Sequence, residues 1–417
     1  MNIIEKIMAK ASGYKHVQPD DIIEAKIDKA MMNDITGPLA VKTFKDMGGR
    51  KVWDPERVII ILDHLVPANS DQSANLHRIL RTFSKNQNLK HFYDVGRGGV
   101  CHQIMVEKHV MPGEMIVGAD SHTCTYGALG AFATGIGSTE IASVLLRGRL
   151  WFKVPKTINI LFSGNLNPLV APKDLILYIT GQFGADGATY MGIKFSGEVI
   201  RNMSIEGRMT LCNMVVEMGA KNGIVEPDDK TSKYLINRKR VPFEFITDDL
   251  DAHYDHVVEY DASNIEPMIA CPPSVDNVKP VSEIGNISID QALIVSCTNG
   301  RLEDLRIAAK IVHGKKVKKG VRALVIPASQ EVYNEAVKEG LIETFVAANI
   351  LVCNPNCGPC YGGHLGLLAS GETCVSSTNR NFIGRMGSSD ALVYLASPAT
   401  VAASAVKGKI IDPRSLN

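Results

Sequence analysis

The stretch Cys353-Asn-Pro-Asn-Cys-Gly-Pro-Cys-Tyr-Gly-Gly-His364 gathers thiols on a tight turn. Pro355, Gly358 and Pro359 reverse the chain, and Cys357 and Cys360 leave the turn in CxxC spacing. That spacing puts two thiolates within reach of one metal centre. A lone Cys297 ends a second apolar run, Leu293 to Val295, and is followed by Thr298, Asn299 and Gly300. If the two strands are neighbours, three sulfurs meet at one sheet edge. A structural zinc wants four protein ligands and a fully ligated iron-sulfur cluster usually takes four cysteines. Three leave one metal corner open to substrate, which is what a Lewis acid needs. Spacing alone also allows a redox CxxC, a zinc site completed by Cys353 or Cys374, or buried free thiols.

A second set of residues suits proton transfer. The run Val58 to Leu62 leads directly into Asp63-His64, and Met115 to Ala119 leads into Asp120-Ser121-His122. A glycine-rich turn, Gly96 to Gln103, brings out His102. Ligands of open α/β sheets bind at the carboxyl ends of strands, and a carboxylate beside a histidine fixes its tautomer and raises its basicity. Each of these residues alone is an ordinary cap or surface pair; their shared placement carries the argument. The glycine-rich turn lacks the GxGxxG spacing of a dinucleotide loop. Asn213 and Glu217 sit four apart in an expected helix over Gly207 to Gly219, on one face among Leu211, Met214, Val215 and Met218. They point either to solvent or to a site. Arg380 and Arg385 follow the cysteine turn in a loop of Asn and Gly. They suit bidentate grip of carboxylates, or form an ordinary basic loop.

These side chains need a scaffold, and the chain is long enough for two or three domains at 417 residues. Hydrophobic content of 45% with 21% charged residues describes a globular protein. A net charge of +1 speaks against a nucleic-acid footprint. Nine cysteines, an odd number, in a chain with no signal peptide indicate a reducing, cytoplasmic setting. No stretch approaches the roughly 20 apolar residues that span a bilayer. The opening through Met47 reads as two helices separated by a polar turn at Gln18 to Asp21, with Pro38 to Phe44 as a further amphipathic segment. Gly127 to Gly137 suits close helix packing, and Asp248 to Ser282 reads as a linker. The last third alternates strand and helix: Leu293–Val295, Leu302–Val312, Ala323–Ile326, Glu331–Glu339 and a buried strand Ile350–Val352.

Taken together, Asp63-His64-Leu65, Gly118-Ala119-Asp120-Ser121-His122-Thr123, Ser296-Cys297-Thr298-Asn299-Gly300, Cys357-Gly358-Pro359-Cys360 and Ser377-Thr378-Asn379-Arg380-Asn381-Phe382 resemble the aconitase superfamily, in particular the large subunits of two-chain isopropylmalate isomerases and homoaconitases. The resemblance runs over essentially the whole chain. It implies an α/β fold of three α/β/α subdomains around a central iron-sulfur cluster, at 1–155, 156–260 and 261–417. It further implies one 4Fe-4S cluster held by Cys297, Cys357 and Cys360, and isomerisation of a malate-type hydroxy acid by loss and re-addition of water. Asp63 and His64 would handle the leaving hydroxyl, His102 would pair with Asp120, and His122 with Glu217 would serve the water at the open iron corner. Ser121, Arg380 and Arg385 would hold substrate carboxylates; Asn213, Asn299 and Asn379 would lie at or near the cluster ligands.

Single-chain members add a swivelling domain whose Gly-Ser-Ser-Arg motif supplies the base and an arginine. No such motif occurs here, which implies a small partner subunit carrying that domain and much of the substrate specificity. The substrate would be a hydroxy di- or tricarboxylate. Isopropylmalate, in leucine biosynthesis, is the first expectation, with homocitrate or 2,3-dimethylmalate as alternatives. A cluster-free RNA-binding regulator and a zinc scaffold are readings from other classes; low charge and the lack of aromatic-basic interleaving speak against RNA.

Overall fold

The computed structural model describes residues 1–240 and 242–416. The chain divides into two compact units: Met1–Val95, Ile104–Ser163 and Ala188–Tyr260 form the first, and Gly96–Gln103, Gly164–Gly187 and Asp261–Asn417 the second. The fold is α/β throughout, with parallel strands alternating with helices.

The first unit contains a five-stranded parallel sheet ordered His91–Tyr93, Val58–Ile61, Lys29–Asn33, Met115–Gly118, Phe132–Gly135. All four residues of Val58–Ile61 and of Met115–Gly118 are buried. A strand covered on both faces by helices reads as a continuous apolar run rather than an alternation. Asp63-His64 and Asp120-Ser121 therefore leave the same sheet at its carboxyl edge. A second sheet in this unit orders Asn222–Val225, Gly192–Ser196, Thr157–Ser163 and His256–Asp261, the first three parallel.

The second unit is built on seven strands, ordered Val278–Pro280, Met268–Ala270, Leu392–Ala396, Thr373–Ser376, Gln291–Ile294, Arg322–Val325, Leu351–Val352. The last five are parallel, while Met268–Ala270 runs antiparallel to both of its neighbours. The helix Leu302–Val312 has the bounds expected from its periodicity. Its N-terminus is closed by Asp304, which accepts from the Arg301 amide at 2.9 Å.

Several expectations are corrected. The opening segment is one helix, Ile3–Ser12, then strands Ile22–Lys26 and Lys29–Asn33, then the helix Gly37–Asp46. Ala30, Met31 and Met32 favour helices, but parallel neighbours on both sides of Lys29–Asn33 override that preference. The expected linker contains three strands, His256–Asp261, Met268–Ala270 and Val278–Pro280. They are short and flank Pro-rich turns, so no period is visible. Leu351–Val352 is an edge strand with Leu351 60% exposed, not a buried one. It is separated from Gln291–Ile294 by Arg322–Val325, so the strands that precede the two cysteine loops are not neighbours.

Two glycine-rich stretches permit close packing. Gly127 lies in a 3-10 helix, Ser121–Leu129, packed on both the helix Ile205–Met214 and the strand Asn222–Val225; a Cβ there would lie 1.6 Å from the Gly223 carbonyl oxygen. Gly99 bridges to Ser329, and a Cβ on it would lie 2.4 Å from Ala328 O. The Gly96–Gly99 turn thus permits backbone docking, with the Val100 amide bonded to Ala328 O at 2.8 Å. His102 consequently sits in the first turn of the helix Cys101–Lys108, not at a strand end.

Candidate active site

In the first unit the side chains at the sheet's carboxyl edge form one connected group. His64 Nδ1 lies 2.7 Å from Asp63 Oδ1, and its Nε2 lies 4.0 Å from Asp120 Oδ2. Asp63 is fully buried and His64 nearly so. Burial alone would depress the imidazole pKa, but the carboxylates of Asp63, Asp34 and Asp120 outweigh it and carry His64 to about 10. The ring is an imidazolium at neutral pH, with Nδ1 held by Asp63 and Nε2 on the side of Asp120.

Asp34 organises this turn. It follows the strand Lys29–Asn33 and accepts from the amides of Asp63 at 3.1 Å, His64 at 2.9 Å and Leu65 at 2.7 Å. His77 Nε2 lies 3.2 Å from its other side. Burial works to raise its pKa, yet His77, the His64 charge and those amides hold the carboxyl well below the usual carboxylate range. Neither Asp34 nor His77 was picked out from sequence; the signal was the strand-end position of Asp34, hidden because that strand reads as helix.

Asp120 caps the 3-10 helix Ser121–Leu129, accepting from the His122 amide at 2.9 Å. His122 Nε2 lies 3.0 Å from Glu217 Oε1, bringing together two residues 95 positions apart. Asn213 donates to Thr125 Oγ1 at 2.8 Å. The helix carrying it, Ile205–Met214, passes into a 3-10 turn, Val215–Met218, before Glu217's side chain meets His122. Asp120 and Ser121 line a cavity of about 490 Å³ together with Ile136, Trp151, Tyr190 and Lys221.

In the second unit the two cysteine loops converge although an intervening strand separates their parent strands. Cys297 and Cys357 pack together against Val100. Ser296 Oγ lies 3.7 Å from Cys297 Sγ and 3.8 Å from Cys360 Sγ. Ser296 takes a φ of +97°, a left-handed value that costs a non-glycine residue about 1–3 kcal/mol and is typically kept at functional sites. Asn379 also joins the two loops: its Nδ2 donates to Cys297 Sγ at 3.4 Å and to Thr298 Oγ1 at 2.9 Å, and its Oδ1 lies 3.7 Å from Cys360 Sγ. Three buried sulfurs, unbridged by disulfides, two of them contacted by the Ser296 hydroxyl and the Asn379 amide, fit a metal cluster bound through thiolates. Cys374, by contrast, lies inside the strand Thr373–Ser376, where burial pushes its thiol up to about 12.

The remaining expected residues fall as follows. Asn299 donates to Asp304 Oδ1 at 3.0 Å, at the head of the helix Leu302–Val312. Arg385 stacks over Phe382 at 5.3 Å, and its buried Nε has no hydrogen-bond partner among the described residues. Arg380 lies half-buried beside Asn379, and His102 is buried. Arg301 was not foreseen. Its fully buried guanidinium donates to the carbonyls of Cys297 and Thr298 and to Gln103 Oε1 at 3.2 Å, fixing the loop that presents Cys297.

Residues 5–408 match the model of the aconitase family (aconitate hydratase). The chain belongs to the aconitase family. Among curated relatives, the "3-isopropylmalate dehydratase large subunit 1" of Methanopyrus kandleri is 54% identical over 98% of both chains. The "Probable 3-isopropylmalate dehydratase large subunit" of Methanothermobacter thermautotrophicus is 55% identical over 100% of this chain and 99% of its own. That of Aquifex aeolicus is 52% identical over 99% and 97%. Among solved structures, Thermococcus kodakaraensis aconitase X in its holo form superposes with a TM-score of 0.51 over 90% of this chain and 89% of its own, at 13% identity, which supports the fold alone. Aconitase-family proteins carry an iron-sulfur cluster, and the cysteine pocket of this family member is compatible with one. No helix of the described residues is long and apolar enough to cross a membrane.

Proposed function

We propose that this chain is the large subunit of a cytoplasmic 3-isopropylmalate dehydratase, a hydro-lyase of leucine biosynthesis that interconverts 2- and 3-isopropylmalate through the unsaturated acid. Full-length identity of about half to relatives of that name is the observation that carries the substrate assignment. In this reading Cys297, Cys357 and Cys360 hold a 4Fe-4S cluster, which supplies Lewis-acid activation of the substrate hydroxyl when bound.

The protein's own groups do the rest. The His64 imidazolium, kept charged by Asp63, gives its Nε2 proton to the departing hydroxyl and takes one back on rehydration. Glu217 fixes the ring of His122 through Nε2, leaving His122 to hold the released water in position. Arg385 and Arg380 grip substrate carboxylates, with Ser121 donating from the start of its helix; the unpartnered Nε of Arg385 supports that assignment. His102 and Asp120 act as a further acid-base pair, while Asn213, Asn299 and Asn379 keep the surrounding loops in place. A small subunit with the swivelling domain supplies the base that removes the carbon-bound proton.

Co-expression with the small subunit under anaerobic conditions, followed by assay on 2-isopropylmalate, homocitrate and 2,3-dimethylmalate, tests the reading. Turnover of 2-isopropylmalate with the highest kcat/KM is expected. Preference for either of the other acids would reject the substrate assignment, and full activity without a small subunit would reject the partner.

A further inference from the structure

Lys173 is the second residue of the helix Pro172–Phe183 and is completely buried. Its ammonium donates to Ser377 O at 3.1 Å and to Thr378 O. Both partners are neutral, and among the described residues no carboxylate lies within ion-pair distance of it. The adjacent Asp174 is committed elsewhere, accepting from the amides of Ala171 at 2.8 Å and Met268 at 2.9 Å. The placement is unfavourable twice over. A buried cation needs a counter-charge, and the first turn of a helix, where the dipole is positive, favours anions.

Burial lowers the pKa of this ammonium to about 7, and the groups whose negative charge would oppose that are, in order, Cys360, Cys297, Asp304 and Asp174. The carbonyls it binds belong to the two residues preceding Asn379, whose amide contacts both Cys297 and Cys360. We propose that Lys173 is the built-in counter-charge of the cysteine pocket, stabilising the negative charge that Cys297, Cys357 and Cys360 bring when they hold the cluster. The inference rests on the cluster reading above and extends it to a residue outside the ligand set: Lys173 is a positioning residue that tunes cluster retention and potential without touching substrate.

The test compares wild-type protein with Lys173→Met, a neutral side chain of similar length. Each is measured as the cluster-free chain and after anaerobic reconstitution with iron and sulfide. For the loaded forms, iron release to a ferrous chelator should be at least about tenfold faster in the variant, in line with the loss of one partner of a buried charge pair. The midpoint potential should move negative, because removing a cation disfavours the added electron. For the cluster-free forms the sign reverses, and Lys173→Met should unfold at or above the wild-type temperature, since it removes a desolvated amine that burial already drives toward its neutral form. A lysine that served only to tie down Ser377 and Thr378 would stabilise both forms alike. Equal iron release and equal potential would overturn the proposal. So would a cluster-free variant that fails to fold, since the ammonium would then be required by the fold itself. Wild-type protein that takes up no iron would instead bring down the cluster reading, and this inference with it.

Discussion

Asp34→Asn is the substitution that examines the acid-base turn most searchingly. The carboxylate accepts three backbone amides and the His77 ring, and His64 Nδ1 lies 3.7 Å away. Asparagine keeps one acceptor oxygen but turns an NH₂ toward groups that are themselves donors. Each hydrogen bond to a buried charge contributes about 1.5–3 kcal/mol, and removing one partner of a buried charge pair costs about 3–5 kcal/mol in all. A loss near 4 kcal/mol corresponds to a melting temperature lower by roughly 8–16 °C for a unit of this size. The pH dependence follows from the direction of the shift. The folded-state pKa is depressed, so the unfolded chain binds the proton first as pH falls. The stabilisation is complete above the unfolded value and shrinks below it, by roughly 1.4 kcal/mol for each pH unit. Urea unfolding of the cluster-free wild type and variant at pH 7 and near pH 3 should therefore show a gap that narrows on acidification. A variant as stable as wild type at pH 7, or a gap that does not close, would refute the assignment of Asp34 as the charged organiser of the Asp63-His64 turn.

Three further outcomes are expected. Asp63→Asn removes the carboxylate that most strongly opposes the effect of burial on His64; the His64 pKa should drop by about 1–3 units and the alkaline limb of the kcat/KM profile should move down with it. An unmoved limb would mean that His64 is not the proton donor. Arg385→Lys should raise KM at little cost in kcat, because a lysine cannot reproduce the bidentate fork, and an unchanged KM would remove Arg385 from the carboxylate site. Cys360→Ser should abolish the visible absorbance of the reconstituted protein while leaving its circular dichroism intact; retained iron and colour would exclude Cys360 as a ligand.

The parts of the fold visible in sequence are those whose local pattern and tertiary role agree. Val58–Ile61 and Met115–Gly118 are central parallel strands, so both faces had to be apolar and the charged residues after them stand out. Leu302–Val312 shows a helical period with acidic residues in its first turn. Lys29–Asn33 fails this agreement, since helix-favouring residues are held as a strand by neighbours over 25 positions away in sequence, and the misreading concealed Asp34. The cysteines were legible as a set, but the route by which they meet was not. Their strands are separated by Arg322–Val325, and the loops close the distance through Ser296 and Asn379, whose contacts depend on side-chain directions that spacing does not encode. Lys173 and Arg301 were invisible for a related reason: a lysine in the first turn of a helix, or an arginine capping one, gives no sign of being buried.

Whether Cys297, Cys357 and Cys360 hold a cluster is decided by iron and sulfide analysis with an absorption spectrum, on wild-type protein purified without oxygen and reconstituted. About four irons per chain with broad visible absorbance is the predicted result. Zinc, or no metal after reconstitution, would contradict it.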